Sequence, residues 1–265
     1  MWARELAAAS RIARAGGAIV RAMYELGDIA VDRKADDSPV TAADRAANAE
    51  ILAMLGEDFP ADAVLSEEEA DSPARLSASR VWIVDPLDGT RDFVARTGQF
   101  SVHVALAVDG RAVVGAVYQP IAGALYAAAA GLGAWLDVDD GARSPLRVSS
   151  RVASLRVGTS RLNAVGALGA FISSSGVTPF AMGASTKHCA LAAGELDACV
   201  NLSPGEQEWD TCAPEVVVRE AGGTVTDGDG RPFRYNQRDL AHHRGSLFSN
   251  GACHAALLAA LRHFV

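Results

Sequence analysis

The chain has 265 residues, of which 49% are hydrophobic and 21% are charged, with a formal net charge of -8. This composition is typical of a soluble globular protein with a large core, and it argues against general nucleic-acid and membrane-surface binders, which usually carry a basic stripe. The four cysteines form no CxxC pair and the N-terminus shows no signal-peptide pattern, so we expect free thiols in a reducing cytoplasm.

Two helices and a series of adjacent strands are predicted for the first half of the chain. Apolar residues at helical spacing predict a first helix from near Trp2 to about Tyr24, and a polar loop from Asp32 to Pro39 follows it. Thr41-Ala42-Ala43-Asp44 has the capping-box pattern of a second helix, which runs to the Phe59-Pro60 break. Strands are then predicted at Val64-Leu65, Val81 to Val84, Val102 to Val108, Val113 to Tyr118 and Ala124 to Ala128.

One segment of the first half resembles a membrane span. Ala112 to Leu136 carries no charge over a length that would cross a bilayer. Several glycines and Gln119-Pro120 interrupt it, however, and these are residues typical of turns between short strands. We therefore interpret the segment as a buried antiparallel hairpin.

The second half of the chain begins after a stretch rich in Gly, Asp, Ser and Pro, from Asp137 to Pro145. We place a lobe boundary there, which divides the chain into two closely joined lobes, residues 1–145 and 146–265. The pattern of the second lobe predicts a helix over Thr211 to Gly222 with Pro214 in its first turn. The other predicted elements are strands at Ser154 to Thr159 and Leu196 to Leu202, and helices at Ser185 to Gly194 and after Asn250-Gly251. This mixture indicates an α+β or layered α/β fold.

Two aspartates follow a strongly apolar strand that begins at Arg80. Because a residue before proline disfavours helix, Asp85-Pro86 is expected to turn the chain at the strand end, where Asp85 and Asp88 can share one cation. Gly89 allows close backbone approach, and a helix starting near Thr90 would direct free amide groups at an anion. The alternative is a simple Asp-Pro turn in which Asp88-Gly89 is turn chemistry only.

Further carboxylates could join this pair, and each also has a structural explanation. Asp44 could only cap its helix, Glu67 with Glu68 belongs to an acidic run, and Asp210 could be the N-cap of the helix at Thr211. Together they form a set of hard oxygen ligands that suits Mg²⁺. Without cations such a cluster would be strained, since two like charges about 4 Å apart repel by about 4 kcal/mol at an effective dielectric of about 20.

Lysine is rare, because only Lys34 and Lys187 occur among many arginines. Lys187 follows Gly183-Ala184-Ser185-Thr186 at a predicted helix start, where a phosphate would be stabilised. The alternative is that arginine usage reflects genome composition and that two lysines remained by chance. The histidines show no metal-ligand spacing, and no serine lies in a GxSxG motif.

Three motifs resemble the Mg²⁺-dependent, lithium-sensitive inositol monophosphatase superfamily, in the expected order and over nearly the whole chain. They are Ser66-Glu67-Glu68, Trp82-Ile83-Val84-Asp85-Pro86-Leu87-Asp88-Gly89-Thr90, and Trp209-Asp210 leading to Glu220-Ala221-Gly222-Gly223. Ser38 to Asp44 and Gly183 to Lys187 look most like the branch that removes the 3'-phosphate from 3'-phosphoadenosine 5'-phosphate. Inositol monophosphatases lack a lysine at the place matched by Lys187.

The resemblance implies an αβαβα sandwich with mixed, largely antiparallel sheets and a site for two or three Mg²⁺ ions. Glu67, Asp85 and the Leu87 carbonyl would bind one ion, and Asp85, Asp88 and Asp210 a second. Asp44 matches a residue near a third, weaker site. Thr90 with Glu67 would orient the attacking water, and substrate contacts would come from Leu87, Asp88, Gly89, Thr90, Gly183, Ser185, Lys187 and Asp210. Ser160-Arg161-Leu162 departs from the Ser-Arg-Ser-His of many relatives, which leaves nucleoside contacts there open.

The implied activity is hydrolysis of 3'-phosphoadenosine 5'-phosphate to AMP and phosphate by a metal-activated water, a step of sulfur assimilation. The implied partner is a small phosphorylated molecule, with neither nucleic acid nor membrane, and many relatives are homodimers. Inositol-1-phosphate or fructose-1,6-bisphosphate hydrolysis is the main alternative. A haloacid-dehalogenase-type phosphatase is disfavoured because its DxD motif is absent where this chain has DxxD. A non-catalytic phosphate-binding protein is the alternative from another class.

Overall fold

The computed structural model describes residues 1–27, 31–33, 39–139, 141, 143–160, 166–183, 186–203 and 205–264, with only the backbone at positions 31, 33 and 39. Lys34, Arg161 and Ser185, which the sequence singles out, lie outside the described residues.

The described part of the first half contains three helices and nine strands, with a short 3₁₀ helix at Pro73–Ser77. In chain order they are α1 (Ala3–Leu26), β1 (Val31–Arg33), β2 (Pro39–Thr41), α2 (Ala42–Asp58), β3 (Ala63–Ser66), β4 (Arg80–Asp88), α3 (Thr90–Val94), β5 (Ser101–Val108), β6 (Arg111–Gln119), β7 (Ala124–Ala129), β8 (Gly133–Val138) and β9 (Ser144–Pro145). The predicted helices and strands of this half agree with these bounds to within a few residues, except at the end of β4.

The second half alternates strands with four helices in its described part. The order is β10 (Arg156–Ser160), α4 (Gly166–Ser175), β11 (Thr178–Met182), α5 (Thr186–Ala192), β12 (Ala198–Asn201), α6 (Glu208–Glu220), β13 (Thr224–Asp227), β14 (Ser246–Ser249) and α7 (His254–Leu261). The patterns did not predict α4, β11, β13 or β14.

The larger strands form two mixed sheets. The seven-stranded sheet has the order β3-β4-β5-β6-β7-β8-β9, and all its neighbours are antiparallel except β3 and β4. The five-stranded sheet has the order β11-β10-β12-β14-β13, in which β10 is parallel to both of its neighbours. The uncharged segment from Ala112 to Leu136 lies in β6, β7 and β8, which confirms the antiparallel hairpin, and no helix in the described ranges has the length and apolar character to cross a membrane.

Alternation of side chains along the strands sorts the core into layers. On one face of the seven-stranded sheet, Trp82 and Val84 of β4 pack with α1 and α2. On the opposite face, Val81 and Ile83 pack with α5 and α6. The five-stranded sheet covers the other side of α5 and α6, and its outer face packs against α4 and α7. The resulting order of helix, sheet, helix, sheet and helix layers confirms the predicted αβαβα sandwich.

Helix α6 occupies the central layer and begins earlier than predicted. Its first residue is Glu208 rather than Thr211, because Gln207 and Asp210 form a capping box that starts the helix one turn earlier. Pro214 therefore lies inside the helix and not in its first turn, so that prediction was wrong. Gly115 of β6 allows α6 to approach closely, since a Cβ atom there would lie 2.4 Å from the Ala213 carbonyl oxygen. The sheets themselves draw on residues 63–145 and 156–249, while the two-lobe division of the chain stays a prediction.

Candidate metal and active site

A β-bulge in β4 brings two aspartates to the same face of the seven-stranded sheet. Asp85 pairs with His103 and Asp88 pairs with Ser101, so three residue steps on β4 oppose two on β5. In a regular strand, residues three apart would point to opposite faces. The extra residue of the bulge returns Asp88 to the face of Asp85, while Leu87 turns to the α1 and α2 core.

The bulge corrects the expectation that the strand ends before the aspartates. Strand β4 continues through Asp85-Pro86 to Asp88. Proline is tolerated there because a bulge locally disrupts the hydrogen-bonded ladder that a proline interrupts in a regular strand. The two aspartates therefore stand on a strand and not on a free turn.

Helix α6 supplies the third carboxylate of a cluster. The Asp210 side chain accepts a hydrogen bond of 2.6 Å from the Gln207 backbone N–H, which orients it at the helix N-terminus. Asp85, Asp88 and Asp210 each offer an oxygen, and these oxygens lie within 4.8 Å of one another. Asp85 is buried, whereas the other two carboxylates are partly exposed.

Glu67 joins this cluster from the end of β3. Its backbone N–H donates to the Val84 carbonyl at 3.2 Å, which places the residue beside the start of the bulge. Burial, and after it the negative charges of Glu67, Asp88 and Asp210, raises the pKa of Asp85 well above its usual value. Burial and the charge of Asp88 do the same to the pKa of Asp210.

The donor set fits a divalent cation. Its members are carboxylate oxygens from three elements, which are the ligands that hard cations prefer. A bound cation would favour the charged carboxylates that burial and mutual repulsion disfavour, and would remove that repulsion. The cluster can therefore hold a metal ion.

Asp44 combines its capping role with a contact to the predicted phosphate turn. Its Oδ2 accepts hydrogen bonds from the Thr41 backbone N–H at 2.8 Å and the Thr41 hydroxyl at 2.6 Å, which completes the capping box of α2. Its Oδ1 accepts from the Thr90 hydroxyl at 3.1 Å. Burial raises the pKa of Asp44. The capping and functional interpretations of this residue are thus compatible.

The turn from Leu87 to Thr90 is folded tightly against the cluster. The Leu87 N–H donates to Asp85 Oδ1 at 3.0 Å, and the Thr90 hydroxyl approaches the Leu87 carbonyl at 3.3 Å. Gly89 precedes the first residue of α3 and has a φ of 94°, a left-handed conformation that favours glycine. The predicted phosphate turn therefore has a backbone that a residue with a side chain would strain.

Gly183 and Lys187, which the sequence predicts as substrate contacts, lie between the end of β11 and the first turn of α5. The Gly183 N–H donates to Gln99 Oε1 at 2.8 Å, and a Cβ atom at position 183 would lie 2.6 Å from the Gln99 carbonyl oxygen. Lys187, the second residue of α5, is 8% exposed, so its charge is largely withdrawn from solvent.

The sequence patterns missed three buried polar residues around the cluster. Ser101 and His103 contact Asp88, and Glu206 is a buried acid whose pKa is raised by burial although Asn201, Ser246 and Lys187 oppose the rise. The available signal for Ser101 and His103 was their alternate positions in an otherwise apolar strand. For Glu206 there was none, because it lies in an irregular segment.

Comparison with known proteins adds a family and named relatives. A family model described as the inositol monophosphatase family matches residues 2–264. A 3'(2'),5'-bisphosphate nucleotidase CysQ from Escherichia coli is 37% identical over 227 residues, covering 85% of this chain and 91% of the relative. A histidinol-phosphatase from Mycobacterium tuberculosis is 34% identical over 251 residues, covering 92% of both chains.

Solved structures agree with the layered fold. The crystal structure of CysQ from Bacteroides thetaiotaomicron, described as a bacterial member of the inositol monophosphatase family, superposes with a TM-score of 0.81. It is 30% identical in sequence and the match covers 93% of this chain and 97% of that one.

Proposed function

The chain belongs to the inositol monophosphatase family, and on this premise we propose that it is a Mg²⁺-dependent, lithium-sensitive phosphatase that removes the 3'-phosphate of 3'-phosphoadenosine 5'-phosphate. The observation that carries the proposal is the convergence of Asp85, Asp88 and Asp210 on one point. Their oxygens come from a bulged strand and a helix N-terminus that meet only in the folded chain. The substrate class follows the bisphosphate nucleotidases named among the relatives.

The proposed ligand sets divide the carboxylates between two ions. Glu67, Asp85 and the Leu87 carbonyl would hold one Mg²⁺, and Asp85, Asp88 and Asp210 would hold the other, with Asp44 close to a third, weaker position. When bound, the ions supply a water of lowered pKa and positive charge for the phosphoryl oxygens. No residue of the cluster is required to form a covalent bond to the substrate.

Thr90 and Glu67 are proposed to orient the attacking water. The Thr90 hydroxyl has a single hydrogen, and its two neighbours, Asp44 Oδ1 at 3.1 Å and the Leu87 carbonyl oxygen at 3.3 Å, are both acceptors for it. Its oxygen lone pairs are then directed to accept a hydrogen bond from water. Glu67 offers a second acceptor, so that the two residues hold the two hydrogens and leave the water lone pair for the phosphorus.

The substrate would contact both halves of the chain. Backbone groups of Leu87, Gly89 and Thr90 are proposed to contact the transferred phosphate, together with Asp88 and Asp210 through the cations. Gly183, Ser185 and Lys187 are proposed to contact the rest of the molecule. A nucleotide with two phosphates carries more negative charge than the carboxylate-bound cations alone neutralise, and the largely buried Lys187 would supply the additional positive charge.

The test is phosphate release, with and without Mg²⁺ and Li⁺, from four substrates assayed in parallel. They are 3'-phosphoadenosine 5'-phosphate, inositol-1-phosphate, fructose-1,6-bisphosphate and histidinol phosphate, the last because one relative is named for it. We expect the highest kcat/KM for the nucleotide and inhibition by lithium. A higher kcat/KM for another substrate would replace the proposed nucleotide specificity with that substrate. Absence of Mg²⁺-dependent phosphate release from all four would favour a phosphate-binding protein.

A matched pair of variants tests the cluster. Asp88→Asn removes one carboxylate of the site and should abolish turnover with the fold intact. Asp109→Asn makes the same change at an exposed turn at the far end of β5, where the left-handed backbone suits asparagine. We expect Asp109→Asn to keep wild-type activity. Full activity in Asp88→Asn would contradict the ligand assignment.

A further inference from the structure

His103 connects two carboxylate-bearing elements of the site. It lies on β5 with its side chain fully buried. Its Nδ1 is 3.1 Å from the carbonyl oxygen of Trp209, the residue before Asp210. Its Nε2 is 3.3 Å from Asp88 Oδ2 and 3.2 Å from the Ser101 hydroxyl. The two ring nitrogens therefore face the Asp88 side chain and the backbone next to Asp210.

The partner of Nδ1 determines how the ring is held. A carbonyl oxygen only accepts hydrogen bonds, so Nδ1 must carry a proton and donate to Trp209 in either charge state of the ring. That hydrogen bond fixes which edge of the imidazole turns to Asp88. The orientation is thus independent of whether His103 is neutral or charged.

His103 and Ser101 approach the same oxygen of the Asp88 carboxylate. Both the His103 ring and the Ser101 hydroxyl, at 3.2 Å, contact Oδ2. Ser101 can donate to Oδ2, whereas Nε2 donates to it only when the ring is charged and otherwise packs beside it. Both side chains thereby restrict rotation of the carboxylate about its Cβ–Cγ bond. Because Asp88 lies at a bulge, where the ladder is disrupted, these side-chain contacts replace the constraint that regular strand pairing would give.

We propose that His103 is a positioning residue that sets the separation of Asp88 and Asp210 for divalent-cation binding, an inference that rests on the proposed function. The backbone of β4 does not determine this separation, since Asp210 belongs to a helix from the other half of the chain. The imidazole is a rigid spacer between the Asp88 side chain and the backbone of α6. Loss of residues that orient metal ligands typically reduces metal affinity about 10–100-fold.

A purely structural role would satisfy the same buried polar groups without affecting the cation. His254 provides the matched control, because it is also buried and its two ring nitrogens contact the hydroxyls of Thr226 at 3.2 Å and Ser249 at 2.8 Å. It lies in α7, outside the carboxylate cluster, and packs against the outer face of the five-stranded sheet. His103→Phe and His254→Phe thus both remove a buried imidazole with two polar contacts, but only His103 contacts the carboxylate site.

The experiment is calorimetric titration of metal-free protein with Mg²⁺, with Mn²⁺ as a second probe, beside the melting temperature in EDTA. We expect both Phe variants to melt at lower temperature, and only His103→Phe to bind the cation about 10–100-fold more weakly. Equal Mg²⁺ affinity in His103→Phe and wild type would overturn the proposal, because it would leave only the structural role.

Two conservative variants refine the test and replace His103→Phe if it does not fold. Asparagine places its amide near the position of Nδ1 and glutamine near that of Nε2. His103→Gln should therefore retain the contact to Asp88 and keep more of the Mg²⁺ affinity than His103→Asn. The reverse order, or equal and unchanged affinities in both, would refute the spacer role.

The substrate assays separate this inference from the proposed function. Wild-type protein that binds Mg²⁺ but hydrolyses none of the four substrates would contradict the function, while the affinity difference at position 103 would still support positioning. If wild type is active but the His103 variants bind the cation as tightly as wild type, the proposed function is supported and the positioning role is contradicted. A wild type that binds neither cation would overturn the positioning role outright.

Discussion

Removal of one carboxylate from the cluster should stabilise the metal-free protein. In Asp88→Asn, the side chain keeps its shape but loses a charge whose oxygen lies within 4.8 Å of those of Asp85 and Asp210. At this separation and an effective dielectric of about 20, each pair of charges repels by about 3.5 kcal/mol. Burial and the neighbouring charges raise the pKa values of Asp85 and Asp210, and protonation of either group relieves part of this repulsion. We therefore expect a net gain of about 1–3 kcal/mol in the free energy of unfolding.

The assay is reversible denaturation in EDTA near pH 8, with the variant compared with wild type and with Asp109→Asn. Each kcal/mol corresponds to about 2–4 °C in melting temperature for a chain of this size. Saturating Mg²⁺ should reverse the order of stability. It stabilises wild type and the Asp109→Asn control by binding to the folded state, whereas the Asp88→Asn protein has lost one of the proposed ligands and gains less. An Asp88→Asn protein that is less stable than wild type in EDTA would refute the view that charge repulsion dominates this cluster.

The same repulsion determines a pH dependence. The pKa values of Asp85 and Asp210 are raised in the folded state, so the native protein binds more protons than the unfolded chain above an unfolded pKa of about 3.9. Stability of the metal-free protein should consequently fall as pH rises from that value through the raised folded values. Mg²⁺ should reduce this slope, since it takes the place of the protons. A metal-free stability that rises through the same window would contradict the assignment.

Four further predictions concern other residues. Thr90→Val should lower kcat about 10²–10⁴-fold while Thr90→Ser keeps most activity, and similar rates for both variants would contradict the water-orienting role. Lys187→Ala should reduce kcat/KM more for 3'-phosphoadenosine 5'-phosphate than for inositol-1-phosphate, whereas equal losses would count against the nucleotide assignment. Gly183→Ala should destabilise by about 1–3 kcal/mol through overpacking, but Gly56→Ala, with open space around it, should be neutral or stabilising in the same denaturation assay. Burial lowers the pKa of His242 to about 4, so the unfolded chain binds more protons at this residue than the folded protein between about pH 6.5 and 4. The free energy of unfolding should therefore fall as pH falls through this window, and His242→Gln should remove this part of the pH dependence.

Helix α2 shows how much local sequence can determine. Its start was predictable because the Thr41 and Asp44 side chains cap backbone groups within one turn, and no distant residue is needed. The contact between Asp44 and Thr90 was not predictable, because the two residues are 46 positions apart and meet only when α2 packs beside the end of β4. Local chemistry thus specified the element, and packing specified its second role.

The carboxylate motif illustrates the same division within one strand. Residue types alone made Asp85 and Asp88 candidates to share one cation, but a strand period of two places them on opposite faces. Only the pairing of β4 with β5 reveals the bulge that brings them together. Strand pairing depends on a neighbour that the motif does not contain, and this is why the predicted turn at Asp85-Pro86 was wrong.

The sequence by itself determined the composition, the cap of α2, the central strands of the seven-stranded sheet and the set of candidate acidic ligands, since these depend on short-range chemistry. The tertiary structure decided which of those groups meet. It set Asp210 against the bulge and inserted the His103 ring between Asp88 and Trp209. Such contacts depend on strand register and on the packing of a helix from one half of the chain against a sheet from the other, because long-range burial, and not local propensity, selects them.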